Sequence, residues 1–151
     1  MTYRGVKKSL KQSLKRLKTK YVDLYQVHWP NPLIPIRETM RAMEELVDEG
    51  KVRAIGVSNF SLGRLRKARE VLKKHDIVSN QIEYNLLRRN PEKELIPYCQ
   101  KEGLTVIAYS PLAQGLLTGK YGPGKMPNGF FRRAFIYVRY GRIGEITNLV
   151  E

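Results

Sequence analysis

The chain has 151 residues, with 28 Lys and Arg against 14 Asp and Glu, and its formal net charge is +14 at pH 7. Hydrophobic residues make up 42% of it, which suffices for a packed core, and no apolar run approaches the ~18 residues of a membrane span. Because the basic N-terminus also lacks the apolar stretch of a signal peptide, the sequence predicts a soluble, cytoplasmic domain.

Helical and strand patterns alternate through the first half of the chain. The first helix is predicted from apolar residues at helical spacing among lysines: Val6, Leu10, Leu14 and Leu17. A β-branched and aromatic run then predicts a strand over Tyr21–His28. A second helix begins at Pro35 and ends at Gly50, where a left-handed residue is expected, and a second strand over 52–57 leads into Ser58.

The same alternation continues in the second half. The remaining elements are a helix capped by Ser61, a strand over 77–82, a helix from Pro91 to Gly103 and a strand over 104–108. Strands joined by helices of about a dozen residues indicate a parallel sheet, because parallel neighbours cannot be joined by a short turn. Polar side chains end the strands at intervals of 30, 23 and 28 residues: His28, Ser58, Gln81 and Tyr109. We therefore expect all four to gather at one mouth of an α/β fold.

The sequence H-W-P-N at 28–31 is the first candidate for a functional site. An ionisable imidazole beside an indole at a strand end is typical of places where α/β folds carry out chemistry. On these residues alone, the alternatives are a histidine that only ends its strand and a Trp29 that packs on the rim of the sheet. The pair Ser58 and Asn59, before an apolar-periodic run, is by itself more typical of a helix cap.

Four longer motifs together resemble a known family. They are D-L-Y-Q-V-H-W-P at 23–30, G-K-V-R-A-I-G-V-S-N-F at 50–60, N-Q-I-E-Y-N at 80–85 and A-Y-S-P-L-A-Q-G-L-L-T-G-K-Y at 108–121. With these motifs in this order, the chain resembles the aldo/keto reductase superfamily over roughly residues 5 to 122. The resemblance implies an α/β fold of the (β/α)8 TIM-barrel type and NADPH-dependent reduction of aldehydes or ketones to alcohols, without a metal.

The resemblance also implies that the barrel is incomplete in this sequence. A family barrel has eight strands, whereas about four βα units are predicted here. They correspond to the third helix through the seventh strand, so residues 1–151 are predicted to form one partial barrel domain. Of the family's catalytic aspartate, tyrosine, lysine and histidine, only the histidine has a counterpart, His28. We therefore expect the chain alone to be inactive, and the alternative is a non-catalytic, cofactor- or partner-binding remnant.

For the site residues, the resemblance implies definite roles. His28 donates a hydrogen bond to the developing alkoxide, and Trp29 forms a wall of the pocket for a small carbonyl substrate. The larger set of residues that contact NADPH comprises Ser58, Asn59 and Gln81 at the carboxamide, Tyr109 stacked on the nicotinamide, Ser110, Leu112, Gln114 and Gly115 along the pyrophosphate, and Lys120 at a phosphate. For Gln114 and Lys120, a solvated loop side chain is the alternative.

Much of the excess positive charge lies on the polar faces of the first and third predicted helices, so we interpret it as solvated surface. Specific nucleic acid binding is disfavoured, whereas weak, salt-dependent binding to polyanions, as by a basic surface-binding protein, stays open. The single cysteine, Cys99, is predicted to be a buried thiol, and His75 a solvated helix end. No cluster of His and Cys suggests zinc.

After residue 121 the pattern becomes weaker. Turns are predicted at 122–124 and 127–129, a loop over the cofactor cleft at 130–138, and the start of a helix from Ile143.

In a four-stranded sheet the two outer strands would be bare, and an inner face of Val, Ile and Leu would be uncovered. We therefore expect self-association through the open sheet edges. Because no apolar run is long enough to span a bilayer, we expect no association with a membrane.

Overall fold

A computed structural model of the protein describes residues 2–121, 125 and 127–141. The α-helices in this part of the chain are α1 (Tyr3–Leu17), α2 (Ile36–Asp48), α3 (Leu62–Glu70), α4 (Leu95–Lys101) and α5 (Phe130–Tyr140). The strands are β1 (Val22–Val27), β2 (Val52–Ser58), β3 (Ile77–Glu83) and β4 (Thr105–Tyr109). They form one sheet in the order β1-β2-β3-β4, with β1 parallel to β2 and β2 parallel to β3. The predicted alternation of helices with a parallel sheet is confirmed.

Several predicted helix ends coincide with specific backbone conformations. Gly50 and Gly103, which follow α2 and α4, have φ angles of +67° and +69°, a left-handed conformation that glycine adopts without steric cost. At the start of α1, the Thr2 hydroxyl accepts a hydrogen bond from the Gly5 amide at 3.2 Å. Ser61 precedes α3 as predicted, but its side chain makes no capping hydrogen bond.

The hydrophobic core lies between the sheet and α1 to α3. Its fully buried members include Leu10 of α1, Met43 of α2, Leu65 of α3, and Val27, Ile55 and Val57 of the sheet. Because successive strand residues point to opposite faces, Tyr25 and Val27 at the end of β1 and Ile55 and Val57 at the end of β2 face this core. Gln26, Gly56 and Ser58, which alternate with these residues, therefore lie on the other face.

The composition of that second face differs from the prediction. An inner face of Val, Ile and Leu is expected from the sequence, but Val27, Ile55 and Val57 pack beneath the helices. The opposite face instead carries Gln26 and, across the register pairs Gly56–Ser79 and Ser58–Gln81, further polar side chains. The sequence is misleading here because a parallel strand with two buried faces is one continuous apolar run, which does not show which side chains point to which face. Near the end of β1, only Gln26 interrupts this run.

The first predicted helix is confirmed and ends at Leu17, which is 64% exposed. Two other local predictions were wrong. The helix predicted from Pro91 is split into a 3₁₀ turn, Asn90–Lys93, and α4. The segment 130–138, predicted to be a loop, belongs to α5, and its apolar side chains are mostly exposed, which explains why no helical periodicity was visible. The predicted turn at 122–124 and the helix start from Ile143 lie outside the described residues.

The described chain forms two compact units. The first runs to Ile82 and includes Pro91–Ile107, and the second comprises Glu83–Asn90 and the residues from Ala108 onward. The second unit has its own small core of Ala113, Leu116, Tyr121 and Ile136. As predicted, Cys99 is a buried free thiol, and burial raises its pKa. No helix among the described residues is long and apolar enough to cross a membrane.

Candidate functional site

His28 and Trp29 stand at the carboxyl end of β1. The strand ends at Val27, and both following side chains are exposed, Trp29 by 58%. Their ring centroids are 6.3 Å apart with the planes tilted by 50°. Because more than half of the indole is exposed, it is not packed inside the core, and its face is available to an apolar ligand.

Asn59 joins the ends of β1 and β2. It has a φ angle of +61°, a left-handed conformation that asparagine tolerates better than most residues. Its Nδ2 donates to the carbonyl oxygen of His28 at 3.3 Å and to Ser58 Oγ at 3.0 Å. The sharp turn after β2 therefore brings the Asn59 amide over the end of β1 and fixes the backbone next to the imidazole.

Ser58 and Asn59 are also tied to β3. Ser58 is buried, and its Oγ donates to the carbonyl oxygen of Gln81 at 3.0 Å, while the backbone amide of Asn59 donates to the same oxygen at 2.8 Å. Three predicted site residues, Ser58, Asn59 and Gln81, thus form one hydrogen-bonded group with the backbone of His28. Ser58 and Asn59 do more than start a helix, because their side chains bond to the ends of β3 and β1.

The side chain of Gln81 is held by two residues that the sequence analysis missed. Gln26 Nε2 donates to Gln81 Oε1 at 2.7 Å, and Ser79 Oγ donates to Gln26 Oε1 at 3.3 Å. Because the side-chain oxygen of Gln81 already accepts this hydrogen bond, the side-chain NH2 group is the end that Gln81 presents as a donor. The indication available in the sequence was a glutamine two residues before His28 in an otherwise apolar run, which strand alternation places on the same face.

Asn80, beside Gln81, faces the helix layer. Its Nδ2 donates to the carbonyl oxygen of Phe60 at 2.9 Å, and this buried hydrogen bond fixes the loop between β2 and α3. Its Oδ1 is buried without a hydrogen-bond partner among the described residues. Asn80 is therefore a structural support of the turn that contains Ser58 and Asn59.

The other predicted residues lie in the second unit, beginning with Tyr109 at the end of β4. The Tyr109 carbonyl accepts from the Tyr84 amide at 3.4 Å, and the Ser110 carbonyl accepts from Asn85 Nδ2 at 2.9 Å. Ser110 has a φ angle of +53°, so the chain turns sharply after the strand. The prediction that Tyr109 gathers with His28, Ser58 and Gln81 stays a prediction.

The loop after Ser110 has an unusual backbone. Leu112, at φ −98°, is followed by Ala113, Gln114 and Gly115 at φ +47°, +60° and +93°. A right-handed residue followed by a left-handed one groups backbone amides into a concavity that suits anions. The Gly115 amide, however, donates to the Leu112 carbonyl at 2.8 Å. Leu112 and Gln114 are exposed, as expected of loop side chains.

Two cations flank Tyr121 near this loop. Lys120 Nζ lies 5.8 Å from the centroid of the Tyr121 ring, and the Arg132 guanidinium carbon lies 5.9 Å from it. Arg132 Nη2 also donates to the Gln114 carbonyl at 3.3 Å. Arg132 was missed because its segment lacked periodicity, yet it brings a second positive charge to the loop that holds Gln114 and Gly115.

A charged cluster joins β3 to the end of α5 within the second unit. Glu83 accepts hydrogen bonds from Tyr140 Oη at 2.6 Å and from the Arg139 guanidinium. Burial and the bond to Glu83 raise the pKa of Tyr140 to about 12, so this tyrosine stays protonated. Burial raises the pKa of Glu83, but the bonds from Tyr140 and Arg139 outweigh it and hold the pKa below its usual value.

No group of three or more His, Cys, Asp and Glu side chains within residues 2–121 and 127–141 is arranged to hold a metal ion. His75, interpreted as a solvated helix end, instead lies 2.9 Å from Asp48 Oδ1 through its Nε2. The side chains of His28, Ser58, Asn59 and Gln81 offer hydrogen-bond donors and acceptors, which suit an amide or a carbonyl oxygen.

Comparisons with known proteins agree on one family. Residues 1–137 match the sequence profile of the aldo/keto reductase family. The aldo-keto reductase YhdN of Bacillus subtilis is 51% identical over 111 residues, which are 74% of this chain and 33% of that protein. The NADH-specific methylglyoxal reductase of Escherichia coli is 39% identical over 128 residues, which are 83% of this chain and 38% of that protein.

Solved structures give the same result for the fold. A glycerol dehydrogenase of Gluconobacter oxydans has a TM-score of 0.87 at 33% identity, over 99% of this chain and 45% of its own. An aldo/keto reductase from Klebsiella pneumoniae in complex with NADP and acetate has a TM-score of 0.67 at 37% identity, over 87% and 43%. The chain thus spans less than half the length of these relatives, and its four βα units are a partial barrel, as predicted. It belongs to the aldo/keto reductase family.

Proposed function

We propose that this chain carries part of the active site of an NADP-dependent oxidoreductase that reduces aldehydes or ketones to alcohols. Membership of the family supports the proposal, as do Klebsiella pneumoniae relatives solved in complex with NADP and acetate and with NADPH. The substrate is a small carbonyl compound, and the proposed location is the cytoplasm. Because the Escherichia coli relative is named NADH-specific, both reduced cofactors belong in any test.

The observation that carries the proposal is the hydrogen-bonded group at the ends of β1, β2 and β3. Asn59 connects the His28 backbone with Ser58, and Ser58 and Asn59 both donate to the Gln81 carbonyl. Hydrogen bonds of this kind hold side chains in a fixed geometry before any ligand arrives, which is what an active site requires. A histidine and two amide side chains placed in this way support carbonyl chemistry better than a general basic surface does.

His28 is proposed to bind the substrate oxygen. When a carbonyl is reduced, negative charge develops on its oxygen, and an N–H donor already aimed at that atom lowers the barrier. The exposed imidazole has room for a substrate, and the exposed Trp29 face beside it would line the apolar side of the pocket. The bound cofactor supplies the hydride.

The carboxamide of the cofactor fits the neighbouring groups. A carboxamide offers one acceptor oxygen and one NH2 donor, so it needs a donor and an acceptor in return. Gln81 presents its NH2 because Gln26 occupies its carbonyl oxygen, and Ser58 Oγ, which accepts from Asn59, has a further lone pair. Tyr109 is proposed to stack on the nicotinamide, with Ser110, Leu112, Gln114, Gly115 and Lys120 toward the phosphates.

The first test is cofactor binding. Titration of the protein with NADPH, NADH and reduced nicotinamide mononucleotide should give weak, saturable binding to the nicotinamide end. Gln81→Ala and Tyr109→Ala should each weaken it by about tenfold or more, because each removes a direct contact. Tyr137→Ala is the matched control, since that tyrosine is exposed on α5 and has no proposed role. Binding that neither Gln81→Ala nor Tyr109→Ala affects would contradict the assignment.

The second test is turnover. No counterparts of the family's aspartate, tyrosine and lysine occur among the matched motifs, and a general acid alone contributes about 10²–10⁴-fold to a rate. We therefore expect no appreciable oxidation of NADPH with 4-nitrobenzaldehyde. Turnover that is lost in His28→Ala would refute the proposed inactivity while supporting the proposed chemistry. Cofactor binding without turnover is the result expected of the chain alone, and the alternative, a non-catalytic remnant that binds cofactor or a partner, gives the same result.

Assembly is a separate proposal. We propose that the chain associates with itself through the outer strands β1 and β4. In the described sheet each of these strands has a single neighbour, so its other edge presents unpaired backbone groups.

A further inference from the structure

A cavity of about 260 Å³ lies on the helix side of the sheet, behind the loop that follows Trp29. Its apolar wall includes Val27 at the end of β1, Ile34 and Ile36 at the start of α2, and Phe60 after β2. Val27 and Phe60 are almost completely buried apart from this opening, so the wall belongs to the packed core. The rest of the lining consists of two cations of α3, Arg64 and Lys67, together with Asn31, Thr39 and three prolines.

The cavity is separate from the proposed carbonyl site. Val27 lies between Gln26 and His28 in sequence, and strand alternation points Val27 to the opposite face from Gln26. Val27 accordingly packs in the helix-side core, whereas Gln26 bonds to Gln81 on the other side of the sheet. A ligand in the cavity would therefore contact neither Gln81 nor Ser58.

The two cations differ in their pairing from a third basic residue of α3. Arg69, in the same helix, pairs with Asp76 at 2.7 Å and with Glu102 at 2.8 Å. Arg64 and Lys67 have no ion pair with any residue that the structure describes, although they are three positions apart and therefore neighbours on one helix face. Like charges at this spacing repel each other, and an anion between them would relieve the repulsion.

We propose that this cavity binds a small organic anion with a compact apolar body, such as an alicyclic or branched-chain carboxylate. The carboxylate lies between Arg64 and Lys67, where a guanidinium can hold both oxygens, and the hydrocarbon part contacts Val27, Ile34 and Phe60. The size follows from the volume, because 260 Å³ is below the range of about 300–1,000 Å³ in which drug-sized ligands bind. Long acyl chains and nucleotides are too large for this cavity.

The probe for a direct test is cyclohexanecarboxylate, with cyclohexanecarboxamide as its neutral counterpart. Trp29 is the only tryptophan and precedes the lining residue Pro30, so its fluorescence reports binding without any cofactor present. We expect saturable binding of the carboxylate at millimolar concentrations and binding of the amide that is weaker by about tenfold or more. Equal binding of both compounds, or no saturable binding, would overturn the proposal.

Variants separate the cavity from the general positive charge of the protein. Arg64→Gln with Lys67→Gln should weaken carboxylate binding by about tenfold or more and leave the weak binding of the amide unchanged. Lys15→Gln with Lys20→Gln removes the same charge from exposed positions outside the cavity and should change neither. If the control pair weakens binding as much as the cavity pair does, the effect is unspecific and the proposal fails. Lys67→Gln alone provides the same comparison if the double variant is unstable.

Discussion

Gln26 determines which way the Gln81 amide points. A glutamine side chain can present its oxygen or its NH2 group to a ligand, and the two orientations recognise opposite partners. The bonds from Ser79 to Gln26 and from Gln26 to Gln81 use the Gln81 oxygen and leave its NH2 group as the donor. In the proposed site Gln26 is thus a positioning residue, which would act on a ligand only through Gln81.

Gly56 leaves the space that Gln26 needs. A Cβ atom at position 56 would lie 2.7 Å from Gln26 Cγ and 2.7 Å from Ser79 Oγ, so one or both side chains would have to move. We predict that Gly56→Ala lowers the free energy of unfolding by about 1–3 kcal/mol, the usual cost of overpacking. It should also weaken NADPH binding, because the Gln26–Gln81 bond is disturbed. Urea unfolding and cofactor titration measure the two effects.

Gly63→Ala is the control for this substitution. Gly63 lies in α3, and a Cβ atom added to it would point into open space. Alanine there should therefore be neutral or stabilise the protein by up to about 1 kcal/mol through its higher helix propensity. If Gly56→Ala behaved like Gly63→Ala, the close approach of Gln26 and Ser79 would have no energetic consequence.

Glu44 of α2 fastens the segment between α3 and β3. Its Oε1 accepts hydrogen bonds from the backbone amides of Lys73 and Lys74, both at 2.7 Å, and from that of His75 at 3.4 Å. Burial raises the pKa of Glu44, but these three amides together outweigh burial and lower the pKa below its ordinary value of 4.5. The segment itself has no regular structure, so this carboxylate supplies partners that a helix or sheet would otherwise provide.

We predict that Glu44→Ala destabilises the protein by about 1–3 kcal/mol at neutral pH, since hydrogen bonds to a charged group are lost. A carboxyl whose pKa is lowered by folding stabilises the fold above its unfolded pKa, and that contribution disappears as the pH falls through the folded pKa. The difference between the variant and the parent should therefore be constant above pH 4.5 and shrink below it. Urea unfolding at a series of pH values checks this.

Glu70→Ala provides the comparison at the element scale. Glu70 ends α3 and has no ion pair within the described ranges, so its removal should have little effect at any pH. A Glu44→Ala effect that persisted undiminished in acid would mean that lost packing, and not the carboxylate, causes the destabilisation.

The elements could be predicted where local chemistry decides them. Gly50 and Gly103 mark helix ends because a left-handed residue is required there, and β1 and β2 follow from β-branched runs. The break before α4 could not be predicted, because it depends on Glu94 taking φ −142° and ψ −44° in its tertiary setting. In the site, Ser58, Asn59 and Gln81 could be predicted as a group from the resemblance, whereas Gln26 and Ser79 required the register between strands.

The net charge of +14 acts on the protein as a whole. Many basic residues are paired, for example Lys7 with Glu45 and Glu49 of the neighbouring helix and its cap, and Arg53 with Asp23 between β1 and β2. Because basic residues outnumber acidic ones two to one, this pairing leaves a large surplus of cations. Two copies of the chain therefore repel each other at low ionic strength. This repulsion opposes the association proposed for the open strands.

The last prediction is that self-association increases with salt. Screening shortens the range of the repulsion from about 10 Å at 0.1 M to about 3 Å at 1 M, while the hydrogen bonds and apolar contacts of paired strand edges are affected much less. Light scattering coupled to size exclusion should therefore show a dimer or larger species whose fraction rises with sodium chloride.

Leu24→Lys places a charge on β1, where Leu24 is 37% exposed, and should reduce the associated fraction. Leu86→Lys, at a position that is 73% exposed in the loop after β3, should leave it unchanged. A monomer at every salt concentration, with cooperative unfolding, would show that the outer strands do not mediate assembly.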